Sequence, residues 1–266
     1  LNLHLIQSFL HPHQKIIAVV KANAYGLGAV PIAQELEKLG VNFFAVACIN
    51  EALELRQGKI KGEILVLSPF FEEEVSLFID NNIIPTLTDF NRASFLNQKA
   101  QEKNKKIKVH IKVDTGMGRL GLGLKEAEEF ILNIANLSYL DLQGIFSHFP
   151  VADNLDDFSL VQIKNFKELI LSLEQQGLKI PLKHIANSSG IVAYNDPFFT
   201  AVRPGIILYG LIPSQKIASL VLPKPLALWK SALIEIKTLP QGHGVSYGQT
   251  HILSQETLIG VVPVGY

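Results

Sequence analysis

Residues 16–28 read IIAVVKANAYGLG, an apolar run that ends at Lys21 and passes into a turn-rich stretch. A short apolar run closed by glycines is typical of a buried β-strand. Lys21 therefore lies at the carboxyl end of a predicted strand, where apolar surroundings favour a neutral amine that can form a Schiff base. A lysine at this place can also extend its ammonium to water, and position alone does not separate the two interpretations.

The same strand-then-helix pattern recurs roughly every twenty to thirty residues. Strands are predicted near residues 16–22, 43–49, 63–68, 83–87, 106–114, 140–148, 182–187 and 201–207. Helices are predicted near residues 28–39, 51–57, 72–81, 89–102, 124–136, 157–177 and 188–194. This count predicts an α/β fold with a TIM (β/α)8 barrel. A doubly wound sheet is the alternative, but no G-x-G-x-x-G motif follows the first predicted strand.

The pattern changes after Pro213, where helical periodicity gives way to short strand-like runs and turns such as Pro240-Gln241-Gly242. We therefore predict a barrel domain over residues 1–221 and the start of a C-terminal β-rich domain over residues 222–266. A few strands cannot bury a core alone, so we expect this second domain to be truncated at residue 266.

Composition points to small-molecule chemistry. Basic and acidic residues both number 24 among 266 residues, so no net field attracts nucleic acid or an anionic membrane surface. No uninterrupted apolar stretch is long enough to span a bilayer. The single cysteine, Cys48, lies in the apolar run 43–49 and is predicted to be a buried hydrophobe in a protein from a reducing compartment.

Residues able to do chemistry collect at the predicted strand ends, where TIM barrels build their active sites. They are Lys21 and Tyr25 after the first strand, residues 114–119 after the fifth, Ser147 and His148 at the sixth, residues 187–190 after the seventh, and residues 203–205 in the eighth. Asn187 and Ser188 begin a helix and predict an anion site to which Gly205 and Ile206 add backbone amides, although a plain helix cap is equally compatible.

Other candidates have an ordinary structural alternative. Arg203 interrupts an apolar segment and needs an acceptor, which is either a buried salt bridge or a ligand atom. His148 is either a core histidine or a partner of Arg203. Lys112 lies within a strand and is either surface-exposed or buried with a counter-charge or modification. Tyr247, between glycine-rich residues, is more often a packing residue than a catalytic one.

Six motifs together resemble those of the bacterial alanine racemase family. They are AVVKANAYG at 18–26, KVDTGMGR at 112–119, SHF at 147–149, ANS at 186–188, RPG at 203–205 and VSYG at 245–248. They occur in the family's order and approximate spacing along essentially the whole chain. Relative to the family pattern, we expect further residues at both ends.

The resemblance implies a fold and an activity. It implies an isomerase that uses pyridoxal 5′-phosphate (PLP), with an N-terminal barrel and a C-terminal β domain, acting as a head-to-tail homodimer. The reaction would be interconversion of L- and D-alanine, supplying D-alanine for peptidoglycan synthesis in the bacterial cytoplasm, with no metal, nucleic-acid or membrane partner. A racemase for another small amino acid, such as serine, and a non-catalytic PLP-binding barrel are the alternatives. The segment Ser246-Tyr247-Gly248 argues against the barrel alone.

The resemblance also implies residue roles. Lys21 would hold PLP as a Schiff base and act as one acid/base group, and Tyr247, donated across the dimer interface, would be the other. Arg203 would face the pyridine nitrogen with His148 supporting it. Arg119 would meet the phenolic oxygen and the substrate carboxylate, and Lys112 would be carbamylated to orient Arg119. The phosphate would be held by Tyr25, Asn187, Ser188, Gly205 and Ile206.

Overall fold

The computed structural model describes residues 1–265. Within them the chain forms two compact units, Leu1–Leu226 and the residues from Ala227 onward. The first unit is a barrel of parallel strands with helices outside it, and the second contains short antiparallel strand pairs.

The barrel has eight strand positions, and the first position is interrupted after Ile16. Its strands are β1 (Lys15–Ile16) and β2 (Ala18–Val19) in the first position, β3 (Phe43–Val46), β4 (Glu63–Val66), β5 (Thr86–Leu87), β6 (Ile107–Asp114), the short β7 (Leu122–Gly123) paired to the end of β6, β8 (Leu140–Phe146), β9 (Leu182–His184) and β10 (Ala201–Val202).

The strand ladders close into a ring. Neighbouring strands pair in parallel in the orders β2–β3–β4 and β5–β6–β8–β9, and β1 pairs with β10. Ile84 N–H donates to Ile64 O at 2.8 Å between β4 and β5, and Arg203 N–H donates to Ala186 O at 2.9 Å between β9 and β10. Because a doubly wound sheet is open and this sheet is closed, the TIM barrel prediction is confirmed.

Helices surround the barrel. They are α1 (Asn2–Gln7), α3 (Ala29–Lys38), α4 (Ile49–Gln57), α5 (Val75–Asp80), α6 (Phe90–Glu102), α7 (Leu124–Ala135), α8 (Asp157–Gln175), α9 (Ser188–Ala193) and α10 (Gln215–Ala218), with the turn α2 (Lys21–Tyr25) after β2. Short 3₁₀ turns occupy Glu72–Glu74, Ala152–Asn154, Ile206–Tyr209 and Tyr247–Gln249. Among residues 1–265, no helix has both the length and the apolar character needed to cross a membrane.

Alternation along the strands builds two apolar layers. In β3, Phe43 and Ala45 pack inside the barrel with Leu65 of β4, whereas Phe44 and Val46 pack outward against the helices. Each buried Phe, Val or Leu side chain among them stabilises the fold by roughly 1.5–3 kcal/mol before entropic costs. The closed sheet therefore fixes the strand ends from which the site residues project.

Residues 22–25 form a left-handed turn directly after Lys21. Ala22, Asn23, Ala24 and Tyr25 have φ values of 51°, 52°, 52° and 55°, so α2 is not a right-handed helix. Each non-glycine residue in this conformation costs roughly 1–2 kcal/mol. Four in succession persist only where other contacts hold them, and such strain concentrates at functional sites.

The second unit contains β11 (Glu235–Leu239), β12 (Gly244–Val245), β13 (His251–Ile252) and β14 (Thr257–Val261). β11 pairs with β14 and β12 pairs with β13, both antiparallel, so the prediction of a β-rich C-terminal domain is confirmed. Large apolar side chains stay exposed here, including Trp229, which is 84% exposed.

One sequence-based expectation is wrong. Cys48 is exposed, because β3 ends at Val46 and Cys48 already forms the N-cap of α4. An apolar run of seven residues indicated a longer strand, but the strand ends at Val46 and the last residues of the run lead into α4, where Cys48 faces solvent.

Candidate active site

A cavity of about 460 Å³ opens at the carboxyl ends of the barrel strands. Ten residues predicted from the sequence line it, namely Lys21, Tyr25, Lys112, Arg119, His148, Asn187, Ser188, Arg203, Gly205 and Ile206. They come from segments that are distant in sequence, and closure of the barrel brings them to one end. A cavity at this end is where TIM barrels bind their substrates.

Arg203 lies at the floor of the cavity and is 3% exposed. Its Nη1 donates to Nδ1 of His184 at 2.6 Å, and its Nη2 donates to Ser147 O at 2.6 Å and to Nδ1 of His148 at 3.1 Å. The predicted contact between Arg203 and His148 is therefore present. Among residues 1–265, the Arg203 Nε–H has no acceptor, so it is the donor left for a ligand.

The charge of Arg203 has no carboxylate partner within the described residues. Burial lowers the pKa of Arg203 to about 9, which leaves it protonated at neutral pH. Burial, followed by the charge of Arg203, lowers the pKa of His148 to about 2, so this acceptor is neutral. The salt-bridge alternative for Arg203 is thus absent, and a buried cation with neutral acceptors suits a site that receives a polar ligand.

Lys112, on β6, is 5% exposed, and its Nζ lies 4.6 Å from the ring centroid of Phe146. This burial excludes the surface-exposed alternative. Burial first, then the positive charges of Arg203 and Arg119, lowers the pKa of Lys112 to about 7. A large fraction of this amine is therefore neutral, and hence nucleophilic, at neutral pH.

Asp114 shapes the loop that carries Arg119. Its Oδ1 accepts the backbone N–H groups of Gly116 at 2.8 Å and Met117 at 2.7 Å, and its Oδ2 accepts that of Gly118 at 2.8 Å. Burial acts to raise the pKa of Asp114, but these backbone donors outweigh it and lower the pKa. The ionised carboxylate thus folds the loop around itself and leaves the exposed Arg119 side chain at the cavity rim.

A polar corner lies where α9 meets the turn Ile206–Tyr209. Asn187 Oδ1 accepts the N–H of Gly190 at 3.0 Å and so caps α9. Ser188 Oγ accepts the N–H of Gly205 at 3.0 Å and that of Ile207 at 3.4 Å. The side chain of Asn187 therefore acts as a helix cap, and Ser188 ties the two chain segments of the corner together.

Gly205 leaves the space in which this corner can receive a ligand group. A Cβ at Gly205 would lie 2.6 Å from Oη of Tyr25, so any larger residue would fill the gap between the backbone and the phenol. Burial raises the pKa of Tyr25, which keeps its hydroxyl protonated as a donor. The predicted cradle residues Tyr25, Ser188 and Gly205 are thus gathered around one space.

The sum of charges around the cavity is positive. Three basic side chains, Lys21, Arg119 and Arg203, line it together with the partly neutral Lys112, against one acidic lining residue, Asp153. Like charges this close repel each other unless an anion lies among them. The cavity therefore favours a ligand that carries several negative charges.

Tyr247 is the predicted site residue that belongs to the C-terminal part of the chain. It belongs to the second compact unit, where its side chain is 91% exposed. It begins the 3₁₀ turn Tyr247–Gln249, after Ser246 at φ 57°. Its assigned role requires donation to another subunit, and that role stays a prediction.

Comparison with known proteins assigns the family. The family profile described as "Alanine racemase, N-terminal domain" matches residues 1–213, and the profile "Alanine racemase, C-terminal domain" matches residues 226–266. The chain belongs to the alanine racemase family. The resemblance carried by the six motifs is thereby confirmed.

Similarity to individual known proteins agrees with this assignment. Alanine racemase 1 of Caldanaerobacter subterraneus subsp. tengcongensis is 39% identical over 267 residues, which cover 100% of this chain and 69% of that protein. The crystal structure of alanine racemase from E. faecalis has a TM-score of 0.90 at 34% identity, covering 100% of this chain and 72% of its own. A histidine racemase from Leuconostoc mesenteroides has a TM-score of 0.80 at 26% identity, covering 99% and 71%.

Sequence reasoning missed several residues that shape this alanine racemase-family site. Glu51, in the first turn of α4, accepts the N–H of Ala22 through Oε1 and that of Ala47 through Oε2, both at 2.7 Å. Buried His184 contacts Arg203. An acidic residue at the start of a predicted helix is an ordinary sequence feature, so only the folded contact reveals that Glu51 holds the turn after Lys21.

Proposed function

We propose that this protein is a PLP-dependent racemase that interconverts L-alanine and D-alanine. The observation that carries the proposal is a single cavity that holds an amine, a polar corner and a buried arginine without an acidic partner, provided by Lys21, Ser188 and Arg203. Supply of D-alanine for peptidoglycan synthesis and a cytoplasmic location complete the proposal and rest on the family.

The cavity residues fit PLP in charge and shape. Tyr25, Ser188 and the backbone at Gly205 surround a space that can take a phosphate, since a glycine keeps it open. The Nε–H of Arg203 is unpaired among the described residues and can donate to the pyridine nitrogen. Lys21 lines the same cavity and would bind the cofactor through Nζ.

When bound, PLP withdraws electrons from the substrate Cα and makes its proton removable. The protein's own residues would then decide which face loses and gains that proton. Nζ of Lys21 would move the proton on one face, and Oη of Tyr247 of the partner subunit would move it on the other. Two groups on opposite faces invert the centre, which a single group does not do efficiently.

Arginines would provide orientation and selectivity. Arg119 at the cavity rim would pair with the substrate carboxylate, because a guanidinium donates to a carboxylate through two N–H groups. Arg203, as a permanent donor, would discourage protonation of the pyridine nitrogen and so limit how far charge spreads from Cα. That restriction favours return of the proton to Cα over transamination.

Carbamylation of Lys112 is part of the proposal. Its pKa of about 7 supplies neutral amine, whose lone pair can attack carbon dioxide. A nitrogen–carbon bond forms as one C=O π bond of carbon dioxide opens, one proton leaves the nitrogen to water, and the neutral amine becomes an anion. The product would face Arg119 and Arg203, which lower the pKa of the free amine by their charge, and would turn repulsion into attraction.

The proposed two-base scheme takes Tyr247 from a second copy of the chain and therefore includes a homodimer. The side chain of Tyr247 is exposed on the second compact unit, which is compatible with donation to a second copy. We propose head-to-tail association, so that each barrel receives the other subunit's β-rich unit.

Spectroscopy tests the assignment of Lys21. The purified native protein should show the absorption of protein-bound PLP, and Lys21→Ala should abolish that band along with racemisation. Lys15→Ala, which changes an exposed lysine on the neighbouring strand β1, is the matched control and should keep the band. Survival of the band in Lys21→Ala would show that the central assignment is wrong.

Substrate preference needs a direct comparison, because a histidine racemase shares the fold. Turnover of L-alanine, L-serine and L-histidine should be measured side by side with the native protein. We expect L-alanine to have the highest kcat/KM. A higher value for either other amino acid would replace alanine as the substrate, and absence of turnover with normal PLP binding would favour a non-catalytic PLP-binding barrel.

A further inference from the structure

A line of three polar side chains runs from the cavity floor into the barrel interior. Nη1 of Arg203 lies 2.6 Å from Nδ1 of His184, and Nε2 of His184 lies 3.1 Å from Nδ1 of His110. All three residues are buried, and both histidines are 0% exposed. His110 is not itself a cavity-lining residue, yet it is connected to Arg203 through a single side chain.

The direction of each hydrogen bond in this line is dictated by chemistry. A guanidinium has only donors, so Nδ1 of His184 must accept from Arg203. Burial, followed by the charge of Arg203, lowers the pKa of His184 well below its usual range, so this ring is neutral. Its one proton therefore sits on Nε2 and is donated to His110.

The same reasoning fixes the third residue. Nδ1 of His110 must accept, and burial lowers the pKa of His110 to about 3, so its only proton lies on Nε2. That Nε2 has no partner among the residues that the structure describes. A buried unpaired donor costs roughly 1–3 kcal/mol. Because only Nδ1 of the His110 ring has a hydrogen-bond partner in the described part of the chain, we infer that this bond, and not one at Nε2, sets the position of the ring.

The barrel makes a niche for this ring. The β6–β8 register shifts between Val109 and His110, and the facing residue on β8 is Gly144, where a Cβ would lie 2.4–2.5 Å from three atoms of the imidazole. Phe43 packs edge-on to the ring at a centroid distance of 5.8 Å. A bulge and a glycine thus accommodate a polar ring inside an apolar barrel.

We propose that His110 is a positioning residue for Arg203, because its unprotonated Nδ1 holds His184 in the tautomer that accepts from the guanidinium. Without that acceptor, His184 either keeps a buried unpaired N–H or moves its proton to Nδ1, where it opposes a donor of Arg203. Either outcome weakens the contact that orients Arg203 and its free Nε–H. The catalytic consequence rests on the proposed function, whereas the tautomer assignment does not.

The first experiment uses the native protein and no variant. Nitrogen NMR of histidine-labelled holoenzyme distinguishes protonated from unprotonated ring nitrogens. We expect His184 and His110 both to be protonated at Nε2 and unprotonated at Nδ1. A proton on Nδ1 of either ring overturns the proposal, whether or not the protein racemises alanine.

The second experiment separates hydrogen bonding from packing. His110→Leu removes the acceptor, His110→Asn retains an acceptor oxygen near the place of Nδ1, and Phe43→Leu disturbs packing against the ring without touching the bond. We expect His110→Leu to lower kcat about tenfold and to alter the absorption of bound PLP, with KM for alanine changed less than about threefold. His110→Asn should recover most of the loss, and Phe43→Leu should lower Tm while keeping kcat and the spectrum.

Each result decides between the two roles. Equal losses in His110→Leu and Phe43→Leu, or no recovery in His110→Asn, would mean that His110 only fills space. If His110→Leu is too unstable to purify, the tautomers of the native protein still decide. An inactive native protein with the expected tautomers would contradict the proposed racemase function and leave this inference standing.

Discussion

At the scale of single residues, the guanidinium of Arg203 offers the cavity a hydrogen-bond donor. An acidic residue at the same position would offer an acceptor instead. Its two terminal nitrogens are held by His184, His148 and Ser147, so the guanidinium cannot easily turn away. With a pKa of about 9, Arg203 stays protonated at neutral pH and can hydrogen-bond to a ring nitrogen without giving up its proton. Selectivity for racemisation over transamination should therefore depend on this one side chain.

Replacing Arg203 tests that dependence. Arg203→Glu exchanges a donor for a group that favours a protonated pyridine nitrogen, so the fraction of turnovers that end in transamination should rise about tenfold or more. The ratio of pyruvate to racemised alanine measures it. Arg203→Lys keeps a cationic donor and should change the ratio far less, and an unchanged ratio in Arg203→Glu would contradict the assigned role.

Lys112 predicts a pH dependence of stability. Its pKa is about 7 in the native protein against 10.5 for an ordinary lysine, so the unfolded chain binds more protons between these values. Stability should then rise with pH from about 7 to 10.5, by up to about 1.4 kcal/mol per pH unit. Urea unfolding in carbon dioxide-free buffer measures this rise, and Lys112→Met should flatten it. Bicarbonate should also flatten it if carbamylation removes the titrating amine, and an equal slope in Lys112→Met would refute the prediction.

At the scale of elements, the left-handed turn after Lys21 depends on a neighbouring helix. The Glu51 carboxylate bridges the N–H groups of Ala22 and Ala47 at 2.7 Å each. A carboxylate accepts at both oxygens, whereas an amide accepts at only one. The conformation that aims Lys21 into the cavity is thus held by charge on α4.

Glu51→Gln should loosen this turn. One backbone N–H would lose its acceptor and face an amide donor, so PLP should dissociate about tenfold more readily during dialysis. Glu54→Gln, one turn further along α4 and exposed, is the matched control and should retain the cofactor. Equal retention by both variants would show that Glu51 does not hold the turn.

The polar corner gives a two-residue test. In Gly205→Ala the new methyl would lie 2.6 Å from Oη of Tyr25, but the next nearest atoms lie at 3.5 Å and 3.8 Å. PLP affinity should fall in Gly205→Ala, and the additional loss should shrink in a Tyr25→Phe background, which lacks Oη. Equilibrium titration of the four proteins of this double-mutant cycle gives the coupling. Additive losses would mean that the phenol and the glycine do not share one space.

At the scale of the whole molecule, the proposed division of the site between two subunits can be tested by complementation. Lys21→Ala and Tyr247→Phe should each be inactive, but a mixed dimer contains one site with both native residues. Equal mixing after reversible dissociation should recover about a quarter of native activity, because half of the dimers are mixed and each has one intact site. Mixing each variant with itself is the control, and no recovery would place both residues in one chain's site or exclude the dimer.

The sequence was sufficient for the barrel and for the residues at its strand ends. Lys21, Arg203 and Ser188 stood out because each places polar chemistry where an apolar run stops or is interrupted. Glu51, His184 and His110 did not stand out, because their roles depend on contacts across 29, 19 and 74 residues. The left-handed turn was also hidden, since Ala22 and Ala24 are residues that ordinarily favour a right-handed helix.

Gly144 limits how this catalytic site could be transplanted. A designer who copied every cavity-lining residue onto another eight-stranded barrel would omit Gly144, since it lies in the interior below them. With any larger residue there, the imidazole of His110 would have no room. A transplanted site would therefore need Gly144 in the barrel interior as well as the cavity-lining residues.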